Sequence, residues 1–258
     1  MSDDTTITPE LLDRLARISS GTLTTELFKR GFKQCFLIGP KRINPHTKPF
    51  AGEAFTMRFI PAREDKETLA TLKPFPTDDN LQWVGVEKIG AGQVLVIDSR
   101  NDVRAASMGN MLLTRMMVKG VAAVITDGSF RDGAEIATLD MPAFATDVVA
   151  STRLSYHHVA DLEVPIACAG VAVYPGDIIV GDADGVTVVP RHVAPDIIDD
   201  CEKRDRLEAY LAERVKTGEA LWGVYPPTDA TRADYQAWVA AGSKVEEIER
   251  IRAKDAAE

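Results

Sequence analysis

Residues 110–136 read NMLLTRMMVKGVAAVITDGSFRDGAEI, and the change of period inside this stretch decides the fold. In NMLLTRMMVKG, 110–120, apolar residues recur at helical spacing, with Asn110 as an N-cap and Gly120 as a stop. VAAVIT, 121–126, is then a short, continuous apolar run rich in β-branched residues, the pattern of a buried strand. GQVLVID, 92–98, has the same character, and SRNDVRAASMG, 99–109, reads as the loop between them. Strand, helix, strand over this length predicts a βαβ unit, and with it an α/β fold.

The bulk composition bounds what surrounds this unit. The chain has 258 residues, 45% of them apolar, enough for one large domain or one domain with extensions. Its net charge of −9, with no Lys/Arg block, disfavours nucleic acid and membrane surfaces, because phosphate contacts need clustered cations. Three cysteines, Cys35, Cys168 and Cys201, lie far apart and form no CxxC pair, which argues against a zinc cluster and for a reducing compartment. The start, MSDDTTITPELL, lacks a basic segment followed by an apolar one, and no apolar run approaches about 18 residues. The expectation is a soluble, cytoplasmic protein.

Outward from the βαβ unit, residues 8–31 read as helical, with Thr8 as N-cap, Pro9 at the first turn, a restart at SGTLTTELFKRG and a stop at Gly31. GEAFTMRFIPA, 52–62, alternates like a strand, and 63–80 is polar with a short helical core. ACAGVAVYPGDIIVGDADGVTVVP, 167–190, reads as short strands joined by Pro-Gly-Asp and Asp-Gly turns. A long helix follows Pro190. The expected division is a main domain over 1–220 and a helical extension over 221–258. In the extension Trp222, Tyr225, Tyr235 and Trp238 read as packing anchors, and SKVEEIERIRAKDAAE as a charged terminal helix.

TDGSFRDGAEI, 126–136, places Arg131 beside Asp132 as the chain leaves a buried strand. Ligands of α/β proteins collect at the C-terminal ends of strands, and the helix starting near Asn110 points its free N–H groups and positive dipole end at the same edge. Gly109 admits close approach of a ligand to the backbone. Residues 109–112 therefore read as a carboxylate cradle. Arg131 can grip a carboxylate in a bidentate way, and Asp132 is a hard oxygen donor for Mg²⁺ or Mn²⁺. The residue types alone also permit an ordinary surface ion pair.

GNMLLTRMMVKGVAAVITDGSFRDGAEI, followed by VYPGDIIVGDADGVTVVP, resembles one family. It joins the 4-hydroxy-4-methyl-2-oxoglutarate aldolases with the regulator of ribonuclease E activity A, the RraA-like proteins. The resemblance runs from about residue 10 to about 220. It implies a swivelling β/β/α fold, trimers or hexamers, and a site at a subunit interface. It implies that Gly109, Asn110, Met111 and Leu112 bind a pyruvate carboxylate through the backbone, that Arg131 orients it, and that Asp132 ligates the metal. The aldolases carry an acid where this chain has Asn110; asparagine holds a water but does not titrate. They also borrow a glutamate from a neighbouring subunit's C-terminal helix, for which Glu208, with Glu202 and Glu213 as rivals, is the match.

The implied reaction is that of a class II pyruvate aldolase acting on a 4-hydroxy-2-oxo acid. A base takes the C4 hydroxyl proton, the C3–C4 bond breaks, and Mg²⁺ stabilises the pyruvate enolate. Oxaloacetate decarboxylation shares that enolate. Arg63, Glu64 and Asp65 in PAREDK, 61–66, suit the hydroxyls of a sugar-derived 2-keto-3-deoxy acid, with a solvated face as the alternative. Lys119, in the last helical turn, reads as a solvated cation and not as a Schiff-base lysine. His157 and His158 read as helix surface, His46 and His192 as loop residues, and DADG, 182–185, as a turn. The rival reading of the whole chain is a non-catalytic regulator that binds a ribonuclease.

Overall fold

The structure is a computed structural model that describes residues 5–63, 65 and 80–242. The chain forms two compact units, the first ending at Ile197 and the second beginning at Ile198. The charged terminal segment 243–258, Glu64, and most of the polar stretch 63–80 lie outside the described residues.

The first unit opens with α1 (Pro9–Leu15) and α2 (Ser20–Lys29). The predicted cap holds: Thr8 accepts the Leu11 N–H at 3.2 Å, and Ser19 starts α2 in the same way. β1 (Lys41–Arg42) and the long β2 (Phe50–Pro61) follow, then α3 (Leu81–Lys88) and β3 (Val94–Asp98). Next come β4 (Ala106–Met108), α4 (Asn110–Val118), β5 (Ala123–Thr126), β6 (Ser129–Phe130) and the single turn α5 (Gly133–Ile136). β7 (Ala143–Ala145), β8 (Asp147–Val148) and β9 (His157–Leu162) lead to β10 (Ile166–Cys168) and β11 (Val171–Val173). β12 (Ile178–Gly181) and β13 (Val186–Val189) complete the strands.

The main sheet runs β1-β7-β5-β3-β2-β12-β13, with β9 also on β2. β2, β3, β5 and β7 are parallel neighbours. β2 is long enough to fork. Its first residues, 50–53, pair with β12 and its last, 57–61, with β9, across a register shift between Arg58 and Phe59.

Alternation along the central strand builds two cores. Leu95 and Ile97 of β3 face the helical side with Val86, Ile89, Leu113 and Met116. Val94 and Val96 face the strand side with Val171, Val173, Ile179 and Val188. A strand covered on both faces has no polar alternation, which is why VLVID reads as a continuous apolar run. The layering is β/β/α, in the swivelling arrangement expected.

Four local readings are corrected. The stretch 99–109 is not all loop: β4 pairs in parallel with β6, and β6 with β8, in a small second sheet. Gly109, and not Asn110, is the N-cap of α4, with extended φ −129 and ψ 176. His157 and His158 open β9 opposite Pro61 and Ile60, where pairing to β2 overrides the polar sequence before them. Lys119 is not solvated: its side chain is 17% exposed and donates to the Val86 and Glu87 carbonyls at the end of α3.

α6 (Ala194–Lys216) leaves the first unit, and α7 (Asp229–Ala240) follows in the second. There Tyr210, Tyr235 and Trp238 pack together at ring separations of 5.1–6.2 Å. Trp222 and Tyr225 remain exposed in the chain. Among the described residues no helix is long and apolar enough to cross a membrane.

Candidate functional site

β4 and β6 run side by side, so the segments that leave their C-terminal ends start together. Arg131 extends the ladder by donating its N–H to the Met108 carbonyl at 3.0 Å. Asp132 then turns the chain into α5 through a left-handed backbone, φ 61 and ψ 42. That turn aims its carboxylate at the start of α4. Asp132 Oδ2 accepts the Asn110 amide N–H at 3.1 Å and lies 3.4 Å from Arg131 Nε. The positive end of α4 and a guanidinium thus hold one oxygen of a carboxylate that is 37% exposed. The other oxygen makes no hydrogen bond among the described residues.

Gly109 is required by this approach and not by its dihedrals. A Cβ there would stand 2.6 Å from Asp132 Oδ2 and 2.9 Å from Arg131 Cγ and Nε. All the residues read as a cradle are present at one place, with an unequal supply of amides. The Asn110 N–H is taken by Asp132, the Leu112 N–H turns back to the Gly109 carbonyl at 3.2 Å, and the Met111 N–H has no protein partner among the described residues. The Met111 side chain is 78% exposed, while Leu112 packs on the helical core. Asn110 Oδ1 accepts the Thr114 hydroxyl at 3.0 Å.

The other predicted residues engage neighbours on their own elements. Glu208 pairs with Arg204 at 2.8 Å, Glu202 with Arg206 and Glu213 with Lys216, each along α6. Arg63 closes on its own neighbour Asp65 at 2.6 Å, both largely exposed, which is the solvated-face arrangement. Glu64 lies outside the described residues. DADG is a turn whose Asp182 accepts the Ser20 N–H and hydroxyl. Among the described residues, no three His, Cys, Asp or Glu side chains converge as a metal cluster.

Two supports of the site have no motif in the sequence. The hydroxyls of Ser99, Ser107 and Thr126, all fully buried, form a triangle of 2.6, 2.9 and 3.1 Å. It ties the ends of β3 and β5 to the middle of β4. Gly128 packs onto it so closely that a Cβ would meet Ser99 Cβ at 2.6 Å. Beside it, buried Asp127 accepts the N–H groups of Ser99, Asn101 and Ala169 at 2.6, 3.1 and 3.2 Å. Burial pushes its carboxyl above the ordinary range, against the pull of those amides.

The RraA-like family profile, described as Aldolase/RraA, matches residues 8–188. A protein of Halalkalibacterium halodurans provisionally named 4-hydroxy-4-methyl-2-oxoglutarate aldolase is 36% identical over 115 residues, 44% of this chain and 53% of that protein. The chain thus spans about half the length of that relative. The uncharacterised protein MJ0644 of Methanocaldococcus jannaschii is 30% identical over 185 residues, 72% of this chain and 82% of its own. The crystal structure of Streptomyces coelicolor RraAS2, described as an unusual member of the RNase ES inhibitor RraA protein family, superposes with TM-score 0.70 at 29% identity. It covers 79% of this chain and 96% of its own. With the βαβ core, the glycine-bounded cradle and the Arg-Asp step in place, the chain belongs to the RraA-like family of aldolases and RraA proteins.

Proposed function

We propose that the chain is a metal-dependent carbon–carbon lyase that releases pyruvate from a 4-hydroxy-2-oxo acid and decarboxylates oxaloacetate as a side activity. The observation that carries this reading is the convergence of Arg131, Asp132 and the start of α4 around Gly109. A surface ion pair serving only neutralisation needs neither the helix N-terminus nor the missing Cβ.

The donor set suits a hard, well-hydrated cation. Asp132 offers one carboxylate oxygen with no hydrogen-bond partner among the described residues, and Mg²⁺ commonly takes one or two protein carboxylates and keeps several waters. Asp132 would hold it, with Glu208 of a neighbouring chain as a contact through water. When bound, the metal supplies Lewis-acid polarisation of the 2-oxo group. Arg131 has a planar fork for the substrate carboxylate, and the Met111 amide adds a donor beside it. Asn110 orients a water through its side-chain amide and leaves proton transfer to another group.

The test is pyruvate release from oxaloacetate and a panel of 4-hydroxy-2-oxo acids, with Mg²⁺ or Mn²⁺ and then with EDTA. Metal-dependent release, lost in Asp132→Ala, supports the reading; metal-dependent release retained in that variant overturns it. The second reading, a regulator that binds a ribonuclease, is favoured by Asn110 and by the inhibitor description of the Streptomyces relative. No release under any condition, together with ribonuclease binding at micromolar affinity, would select it.

A further inference from the structure

Asn110 is the first helical residue of α4, and its side-chain amide is tied at one end only. Oδ1 accepts the hydroxyl of Thr114, one turn along the helix, at 3.0 Å. Nδ2 carries two N–H donors that have no acceptor among the described residues, and it remains open to solvent. The Thr114 bond therefore sorts the two ends of the amide. The acceptor is drawn back along the helix, and the donor is left free at the helix start, where Gly109, Arg131 and Asp132 converge.

This bond replaces two local alternatives. A threonine hydroxyl inside a helix commonly returns to the carbonyl four residues back, and an asparagine in the first turn competes for the free N–H groups there. Here the hydroxyl goes to the Asn110 side chain, and Oδ1 bonds neither the Met111 nor the Leu112 N–H. Thr114 thus serves the cradle twice: it keeps Oδ1 off the Met111 N–H, and it leaves Nδ2 as the outward end. An ionised acid at position 110 would present only acceptors, and a second negative charge beside Asp132. A hydrogen-bond donor there ligates no metal and matches an oxygen acceptor.

We propose that Thr114 is a positioning residue that turns the Asn110 amide donor toward the cradle, and that Asn110 is a specificity residue. One Nδ2–H donates to a carboxylate oxygen of the bound 2-oxo acid beside the Arg131 fork, and the second is left for water. The identity of the ligand rests on the aldolase reading; the orientation of the amide does not.

The experiment is calorimetry of pyruvate binding to the full-length chain with Mg²⁺ at pH 7.5 and constant ionic strength. Thr114→Val, which removes the hydroxyl and keeps the shape, is expected to weaken binding at least fivefold, and Thr114→Ser to stay within twofold of the parent. Asn110→Ala is expected to weaken binding at least fivefold and to cancel the effect of Thr114→Val in the double variant, since the hydroxyl then has no amide to hold. Asn110→Asp is expected to bind more weakly than Asn110→Ala, because a charge replaces the donor. No weakening in Thr114→Val, an equal loss in Thr114→Ser, an effect of Thr114→Val that persists beside Asn110→Ala, or parent-like binding in Asn110→Asp would overturn the assignment. The aldolase reading fails by a different result: pyruvate binding that is absent, or that Arg131→Gln and Asp132→Ala leave unchanged, overturns both. Circular dichroism of each variant establishes folding, and the Asn110 substitutions keep the test valid if Thr114→Val fails to fold.

Discussion

Asp132 caps two helices at once: its backbone starts α5, and its carboxylate accepts the Asn110 N–H of α4 at 3.1 Å. A side chain just beyond the end of β6 thus supplies the anion at the N-terminus of a helix that follows β4. The two helices are held in register by one residue, and any ligand of the Asp132 carboxylate binds against both.

Asp132→Ala is expected to lower pyruvate-releasing turnover by at least about a hundredfold, while costing about 2 kcal/mol of stability, from the lost cap of a partly exposed carboxylate and from a left-handed backbone that alanine adopts less readily. Steady-state kinetics and a thermal melt on the same preparation check both halves. A variant that loses activity only because it unfolds would contradict the assignment.

Gly109→Ala tests the close approach. Its extended backbone suits any residue, so α4 persists, but the new Cβ must displace the Asp132 carboxylate or the Arg131 side chain. The expected outcome is native helical content with turnover reduced at least about tenfold, a 1 Å misplacement being worth up to about a hundredfold. Unchanged kinetics would show that neither side chain needs its observed position.

Asn110→Asp introduces a titratable group beside the Asp132 carboxylate. The two like charges raise the pKa of the new acid, and a new ionisation limb is expected in the pH profile of turnover. Profiles of the two proteins that superpose would place position 110 outside the chemistry.

Burial, against the attraction of Asp102, lowers the His157 ring from 6.5 to about 4. Between these values the unfolded chain binds more protons than the folded one. Its contribution is therefore fully present above about pH 6.5 and is lost as pH falls toward 4, on the order of 3 kcal/mol across the window. Urea unfolding at pH 4.5 and 7.5 should show this loss in the parent chain and a smaller one in His157→Asn.

Thr126→Val keeps shape and removes one corner of the hydroxyl triangle, which leaves the Gly128 N–H and two serine hydroxyls short of a partner. A destabilisation of roughly 1–3 kcal/mol is expected from denaturant midpoints. Because the triangle joins β4 to the main sheet, a fall in turnover below the unfolding transition should accompany it.

The sequence by itself determined the elements whose signals are local. The 3.6-residue period and Gly120 marked α4, the apolar runs marked β3 and β5, and Thr8 marked the start of α1. The adjacency of Arg131 and Asp132 and the glycine at 109 were likewise legible, because a strand end followed by a helix N-terminus has a fixed polarity. What depended on pairing was not. β4 is three residues long, and His157 follows a polar run; only neighbouring strands made strands of them. The buried triangle of Ser99, Ser107 and Thr126 joins residues up to 27 positions apart, a juxtaposition created by packing and by no local pattern. A hydroxyl or a guanidinium carries the same letter whether water or another strand surrounds it, so tertiary structure alone decided which of them became part of a site.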